Sequence, residues 1–289
     1  MVDKSTIRVG SVEIMSVSDG TLSFDKGQFF PDIPEESWRP YMDELTPDGR
    51  VLMNVGSFVL RSEGKTILVD TGLGPDPVTA GILDCGHLLD NIMAKEVPPN
   101  DVDIVLMTHI HVDHVGWNLT YEGGVVTETF PRARYLVPMR DWEASIAKAK
   151  RSISDPDEAL ARQTRPFLNQ VQPLEPTGKL DLFDGEHSIT SAITTLPTPG
   201  HTPGRMSILI ASEGERAIIT GDLLHMPIEV HEVTWTSRAD ADPAQAVVSR
   251  TAVLDDVEKQ GSLLLAGHFP SPGFGRLVRV QGRRYWQKL

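Results

Sequence analysis

Apolar runs and turn residues alternate along the chain in an order that predicts a layered mixture of strands and helices. Short runs rich in Val, Ile and Leu that end at Gly, Pro or Asp are typical of buried strands. Such runs cover residues 12–17, 55–61, 66–69, 104–107, 134–137, 194–200 (running into a turn), 207–211, 217–220 and 263–266. Helical spacing predicts helices over 77–95, interrupted near Gly86, and over 141–150, 158–171 and 243–260. The last helix has the clearest limits, because Asp242 suits its N-cap, Pro243 its first turn and Gly261 its end.

The order of these elements predicts the architecture. Strands followed by a helix occur twice, which favours two sheets packed face to face with helices outside, an α/β fold in the form of a four-layer αββα sandwich. With 289 residues, of which 40% are hydrophobic, we expect residues 1–289 to form a single domain. Residues 29–53 carry Trp38 and Tyr41 among prolines and acidic residues. The wider stretch 20–53 is interpreted either as a lid over a site or as an extension that forms a dimer contact.

Charge and composition exclude several classes of partner. The formal net charge of -13 opposes binding to nucleic acid or to an anionic membrane. The one notable basic cluster is interpreted as a solvated strand face; it contains Arg276, Arg279, Arg283, Arg284 and Lys288. A single cysteine, Cys85, excludes an internal disulfide and a cysteine-based zinc site. Because no apolar run approaches roughly 18 residues and the start lacks an apolar signal region, we expect a cytoplasmic protein.

Polar residues with metal-binding chemistry follow the ends of predicted strands. The segment THIHVDHVGWN (108–118) follows the run VDIVLM, and single candidates follow three later runs: His201, Asp222 and His268. Strands hold such side chains rigidly, while the loops leave them accessible. Imidazole and carboxylate groups suit zinc, manganese or iron, and an aspartate with two oxygens can bridge a pair of ions. The sequence therefore predicts a metal centre, with enough ligands for two ions.

The segments HxHxDH (109–114), PGHTPG, TGDLLH and AGHFP together resemble the metallo-β-lactamase-fold hydrolases. The resemblance implies one ion held by His109, His111 and His201, a second held by Asp113, His114 and His268, and Asp222 between them. It implies two divalent ions, with Zn²⁺ favoured and Mn²⁺, Fe²⁺ or Co²⁺ as alternatives. Asp70, in LVDTG, matches a family carboxylate that orients a ligand histidine; a plain cap at the end of a strand is the alternative.

The resemblance also implies a reaction. Two ions lower the pKa of a shared water toward about 7, so that it attacks as hydroxide. Asp113 is a candidate to hold or relay the proton of that water. The stretch GHFPSPGFGRL, with PGHTPG and GDLLH, is most similar to the methyl-parathion-hydrolase-like branch. We therefore expect a small neutral lactone, carboxylic ester or phosphotriester as substrate. A β-lactam or thioester hydrolase, or a mononuclear iron redox protein, are the alternatives.

Aromatic residues near the ligands are candidates for pocket walls or for plain core residues. They are Trp117, Trp235, Phe269 and Phe274. His225 lies three residues beyond the expected bridging aspartate, where the sister acyl-homoserine lactonases carry a tyrosine. It is interpreted as a hydrogen-bond donor to the substrate carbonyl, with an ordinary loop histidine as the alternative.

Overall fold

A computed structural model describes residues 4–75, 81–154 and 157–289. Its strands are, in chain order, β1 (Thr6–Val9), β2 (Val12–Asp25), β3 (Arg50–Ser62), β4 (Lys65–Val69), β5 (Ile82–Asp84), β6 (Ile104–Leu106), β7 (Leu119–Glu122), β8 (Val125–Glu128), β9 (Arg134–Pro138), β10 (Leu180–Phe183), β11 (Ser188–Thr190), β12 (Ile193–Pro197), β13 (Met206–Ser212), β14 (Glu215–Ile219), β15 (Leu263–Leu265), β16 (Phe274–Val280) and β17 (Arg283–Lys288).

The helices lie between these strands. The α-helices are α1 (Lys26–Phe29), α2 (Leu88–Ala94), α3 (Val112–Val115), α4 (Met139–Ser154), α5 (Glu158–Pro166) and α6 (Pro243–Gln260). Short 3₁₀ helices cover Glu35–Glu44, Pro99–Asp101, Gln172–Thr177 and Pro227–Val230, and a π-helical turn covers Phe167–Val171. Within the three described ranges, no helix is both long and apolar enough to cross a membrane.

Two sheets carry the fold. The first has the order β1-β2-β3-β4-β6-β9-β10, with β5 paired to β2, and the second runs β11-β12-β13-β14-β15-β16-β17; β7 and β8 form a separate hairpin. The pairs β4–β6 and β14–β15 are parallel. Parallel neighbours end at the same edge of a sheet, so each sheet delivers two strand ends to one place.

The predicted four-layer αββα arrangement is confirmed. Apolar side chains of both sheets meet in one buried cluster, which includes Phe58, Leu106, Ile208 and Ile219. A second cluster packs α2 and α4 on the outer face of the first sheet, and a third packs α6 on the outer face of the second. The prediction that residues 1–289 form one domain stays a prediction.

Capping and spacing signals predicted α6 correctly, but the predictions for 77–95, for β2 and for 158–171 need correction. The Asp242 carboxylate accepts from the Gln245 N–H at 3.0 Å, and Gly261 ends the helix at φ +66°. The predicted helix 77–95 is wrong at 82–84, which form β5 by pairing with β2; residues 76–80 lie outside the described residues. Gly86, at φ +89°, separates β5 from α2.

The other two corrections concern β2 and the predicted helix 158–171. The predicted strand 12–17 is too short, because β2 passes through a bulge at Asp19 and Gly20 and continues to Asp25. The α-helical part of the predicted helix 158–171 is limited to α5, which ends at Pro166, and the chain continues as a π-helical turn. The regular pattern changes there because proline has no backbone N–H to donate.

The predicted placement of the basic cluster on strands is confirmed, since its arginines lie on β16 and β17. Arg279 and Arg284 pair with Glu258 of α6. These contacts place acidic partners against the cluster and leave it without a concentrated positive field.

Phe274 is the first correction to the predicted pocket walls. Its side chain is fully buried in the cluster between the sheets, and its ring stacks on Phe58 with centroids 6.1 Å apart. The alternation of a strand turns residue 274 into the core, so Phe274 does not form a pocket wall.

We expect Phe274→Ala to lower the free energy of unfolding by about 3–5 kcal/mol, because it leaves a cavity between two sheets that cannot collapse. Urea unfolding followed by circular dichroism measures this change. Val280→Ala, at a residue 55% exposed on the same strand, is the matched control and should leave stability nearly unchanged. A variant of unchanged stability but altered substrate KM would instead make Phe274 a pocket residue.

Candidate metal centre

Two groups of ligand atoms meet where the strand ends of both sheets converge. In each group the donor atoms lie within 4.8 Å of one another. The first group contains His109, His111, His201 and Asp222; the second contains Asp113, His114, Asp222 and His268. The structure thus brings together all seven residues that were predicted as ligands, and Asp222 belongs to both groups.

The Asp222 carboxylate lies between the two groups. Its Oδ1 is 3.0 Å from His114 Nε2, and its Oδ2 is 3.2 Å from His268 Nε2. The same Oδ2 is 3.3 Å from His201 Nε2 and 3.7 Å from His109 Nε2. One carboxylate therefore faces imidazoles of both groups, which is the arrangement of a bridging ligand.

Unpartnered buried atoms test whether these residues fit metal ions. Among the described residues, His109 Nε2 is buried without a hydrogen-bond partner, and His114 Nε2 and Asp222 Oδ1, although 3.0 Å apart, do not have the geometry of a hydrogen bond. Such atoms cost free energy unless something satisfies them. Burial first, and then the neighbouring histidines, hold the pKa of His109 and of His111 well below the usual range, so both imidazoles keep a free lone pair. The donor set fits two divalent cations, one in each group.

Asp70 has the contacts that its predicted orienting role requires. Its Oδ2 accepts from His114 Nδ1 at 2.9 Å and from Thr108 Oγ1 at 2.7 Å. Thr108 Oγ1 in turn lies 3.0 Å from His109 Nδ1. Asp70 holds this position in the left-handed region, at φ +60°, which is uncommon for a residue with a side chain. The carboxylate thus reaches one ligand directly and a second through a hydroxyl, and its orienting role stays a prediction that these contacts support.

His225 faces the two groups but stands outside both of them. Its Nε2 is 3.8 Å from Asp222 Oδ2, and its ring lies parallel to that of His268, with centroids 5.8 Å apart. Phe29 meets the same ring edge-on at 5.3 Å. His225 is only 2% exposed, and neither of its ring nitrogens has a hydrogen-bond partner in the described part of the chain. The residue is therefore held between two rings, with Nδ1 3.6 Å from Glu229 Oε1 and Nε2 directed toward Asp222.

A buried ion pair holds the loop that carries His225. The Glu229 carboxylate accepts from the backbone N–H groups of His225 and Met226, at 2.5 and 2.9 Å. Arg250 of α6 lies 2.8 Å from that carboxylate and donates to the carbonyls of Leu223, Val233 and Trp235. Both charged groups are essentially unexposed, so each compensates the buried charge of the other.

Asp240 is a site residue that sequence reasoning missed. Its Oδ1 lies 3.1 Å from His201 Nδ1. Burial alone would raise the pKa of Asp240, but the hydrogen bond from His201 and the charge of His225 hold it well below the usual range. In the sequence ADADP (239–243), the helix-capping role of Asp242 accounted for the acidic residues, so Asp240 was not considered as a site residue. His268 directs Nε2 toward Asp222, and its other ring nitrogen, Nδ1, lies 2.9 Å from the backbone carbonyl of Asn54, a contact that sequence cannot reveal.

Trp117 and Phe269 do not lie at a pocket wall. The Trp117 indole N–H donates to buried Asp19 at 2.8 Å, and the ring belongs to the cluster on the outer face of the first sheet. Phe269 is fully buried against Trp286 in the cluster under α6. Both follow a ligand closely in sequence, but the chain turns them to the opposite side.

Trp235 lies in an aromatic cluster with the stretch 20–53. Its ring packs on Trp38 at 4.7 Å and on Phe30 at 6.2 Å. None of these rings contacts a ligand, whereas Phe29 of the same stretch contacts His225. Phe29 is therefore the aromatic residue of this stretch that reaches His225, and sequence reasoning did not single it out.

Removing the ions should destabilise the protein. An ion at roughly 1,000 times its Kd stabilises the folded chain by about 4 kcal/mol, so treatment with a chelator is expected to lower Tm and added zinc to restore it. Mass spectrometry of metal content is expected to find one divalent ion for each of the two donor groups. Asp222→Asn should hold fewer, while Asp32→Asn, at an exposed carboxylate, should match wild type. Equal metal content in wild type and Asp222→Asn would contradict a shared carboxylate.

Comparisons with known proteins agree with this geometry. Residues 51–273 match the model of the metallo-beta-lactamase superfamily. An N-acyl homoserine lactonase of Bacillus thuringiensis is 24% identical over 241 residues, which cover 78% of this chain and 84% of the relative.

Two solved structures share the fold over nearly the whole chain. AidC, a dizinc quorum-quenching lactonase in complex with its product, is 22% identical with a TM-score of 0.84, over 99% of both chains. The hydrolase AbOPH is 25% identical with a TM-score of 0.84, over 98% of this chain and 96% of that one. The family match spans most of the chain and includes all seven predicted ligands, so this protein belongs to the metallo-beta-lactamase superfamily and is a metal-dependent hydrolase.

Proposed function

We propose that this hydrolase holds two zinc ions and opens a small neutral lactone. The observation that carries the proposal is the position of Asp222 between the two donor groups, with His225 facing the same space. The curated N-acyl homoserine lactonase that matches 78% of the chain supports a lactone as substrate. A carboxylic ester or phosphotriester is the second candidate, favoured by the likeness of GHFPSPGFGRL to the methyl-parathion-hydrolase-like branch.

The chain's own residues supply positioning and proton handling. Two bound zinc ions would lower the pKa of a water and polarise the substrate carbonyl. The Asp113 side chain is 12% exposed, about twice as much as those of His114 and Asp222 beside it. Its position suits a carboxylate that holds or relays the proton of the attacking water.

His225 is proposed to donate a hydrogen bond to the lactone carbonyl. Its Nδ1 lies 3.6 Å from the Glu229 carboxylate, and its Nε2, which makes no hydrogen bond among the described residues, faces the site. Contacts with Phe29 and His268 restrict the ring on two sides. A donor that is already oriented stabilises developing charge without reorganisation.

The stretch 20–53 is proposed to act as a lid that forms one side of the substrate pocket. Trp38 and Phe30 are buried against their own chain, and Tyr41 donates to Glu232, which also pairs with Arg283. These contacts use the large aromatic residues internally and place Phe29 beside His225. They favour the lid over a dimer contact, because the large aromatic side chains are already buried within the chain. A dimer contact would have to use exposed apolar side chains such as Met42 and Leu52.

A substrate panel tests the proposed reaction. It comprises an N-acyl homoserine lactone, a p-nitrophenyl ester, a paraoxon-type triester, a β-lactam and a thioester. We expect the lactone to have the highest kcat/KM, and Asp222→Asn to lower it on the order of 100-fold through loss of a shared ligand. Asp32→Asn is the control. Preference for the β-lactam or thioester would replace the lactone proposal, and activity that requires a single iron would overturn the dizinc assignment.

Replacing His225 tests its role separately. His225→Phe keeps a flat ring but loses the donor, so we expect kcat for the lactone to fall on the order of 100- to 1,000-fold with metal content unchanged. Steady-state kinetics and metal analysis on the same sample measure both quantities. His187→Phe, at an exposed histidine, is the control. An unchanged kcat in His225→Phe would make His225 an ordinary loop residue.

A further inference from the structure

We infer that Asp240 is a positioning residue that sets the affinity of the first donor group for its ion, and that it acts through His201. Asp240 Oδ1 lies 3.1 Å from His201 Nδ1, and the two side chains are 1% and 2% exposed. Asp240 belongs to neither of the two donor groups, and its carboxylate clusters with His201 and His225 beside the first group. The inference rests on the two-metal site and does not depend on which substrate is cleaved.

The contact determines which nitrogen of His201 can bind an ion. A carboxylate accepts, so His201 Nδ1 carries the proton and donates it to Asp240. Its Nε2 then keeps the lone pair, and this atom points into the first group, 2.9 Å from His111 Nδ1 and 3.3 Å from Asp222 Oδ2. The opposite tautomer would place a hydrogen where the ion must lie. Asp240 therefore selects the tautomer that binds metal.

Asp240 is itself held in place by the chain around it. Its Oδ2 accepts from the Ser237 N–H at 2.9 Å. The following residue, Ala241, donates its N–H to the His201 carbonyl at 3.1 Å. The segment 237–241 thus contacts both the backbone and the side chain of His201. A carboxylate oriented in this way needs no rearrangement when an ion binds.

The distribution of charge explains why the first group needs this carboxylate. Apart from the shared Asp222, the first group consists only of histidines, whereas the second also contains Asp113. Asp70 does not favour one group over the other. It contacts His114 of the second group directly and His109 of the first group through Thr108. Among the described hydrogen bonds to members of the two donor groups, Asp240 makes one, to His201. Its negative charge therefore stabilises a cation in the first group specifically.

Two backgrounds separate the ions in the experiment. His268→Ala removes a ligand of the second group, so the zinc affinity that remains is that of the first group. His111→Ala removes a ligand of the first group, so the remaining affinity is that of the second. We expect Asp240→Asn to weaken zinc binding about 10- to 100-fold in the His268→Ala background and to leave it unchanged in the His111→Ala background. Competition with a chromogenic zinc chelator measures the affinity. Equal weakening in both backgrounds, or none in either, overturns the inference.

A matched control and a metal-free measurement exclude a merely structural role. Asp242→Asn changes an aspartate two residues away and keeps a good N-cap for α6, so zinc affinity should stay at the background value. Asp240→Asn should lower Tm only in the zinc-loaded protein. An equal loss of Tm without metal would make Asp240 a structural residue and overturn the inference. Asp240→Ser, which keeps an oxygen acceptor but no charge, is the second variant if Asp240→Asn does not fold, with the same expected pattern.

Discussion

Burying imidazole and carboxylate groups at the junction of two sheets costs free energy unless a common partner satisfies them, and the rest of this structure depends on that constraint. In the first sheet the donors follow β6, and in the second sheet they follow β12, β14 and β15. Asp222 faces imidazoles of both groups. The apolar core between the sheets keeps these strand ends rigid, with Phe58 and Phe274 stacked inside it. Cations are the partner that the arrangement fits, because the unpartnered atoms converge on the shared carboxylate.

Each ligand histidine must also present the correct nitrogen, and the surroundings of the site serve that requirement. Asp70 accepts a hydrogen bond from Nδ1 of His114, Asp240 accepts one from Nδ1 of His201, and a backbone carbonyl accepts one from Nδ1 of His268. Sequence reasoning found Asp70 because it follows a strand in a family element. It could not find Asp240, which comes from a loop whose fold depends on packing against His201. The orienting contacts are therefore less visible in sequence than the ligands.

Proximity along the chain was a poor guide to the substrate pocket. Phe269 directly follows a ligand, yet it is buried under α6, because successive residues near a strand end point to opposite faces. Trp117 follows the histidine motif, but its indole donates to Asp19 across the first sheet. Phe29, some 80 positions before the motif, lies against His225 instead. Pocket walls are long-range contacts, and periodicity carries no information about them.

The sequence by itself determined the candidate metal ligands, the two-sheet architecture and the limits of α6. These features depend on local order: a motif within six positions, apolar runs that end at polar residues, and the capping signals of Asp242 and Gly261. Only the tertiary structure decided that 82–84 pair with β2, that Asp240 holds His201, and that Arg250 and Glu229 hold the loop of His225. Each of these is a contact between distant parts of the chain, whose free energy exists only once both sheets are packed.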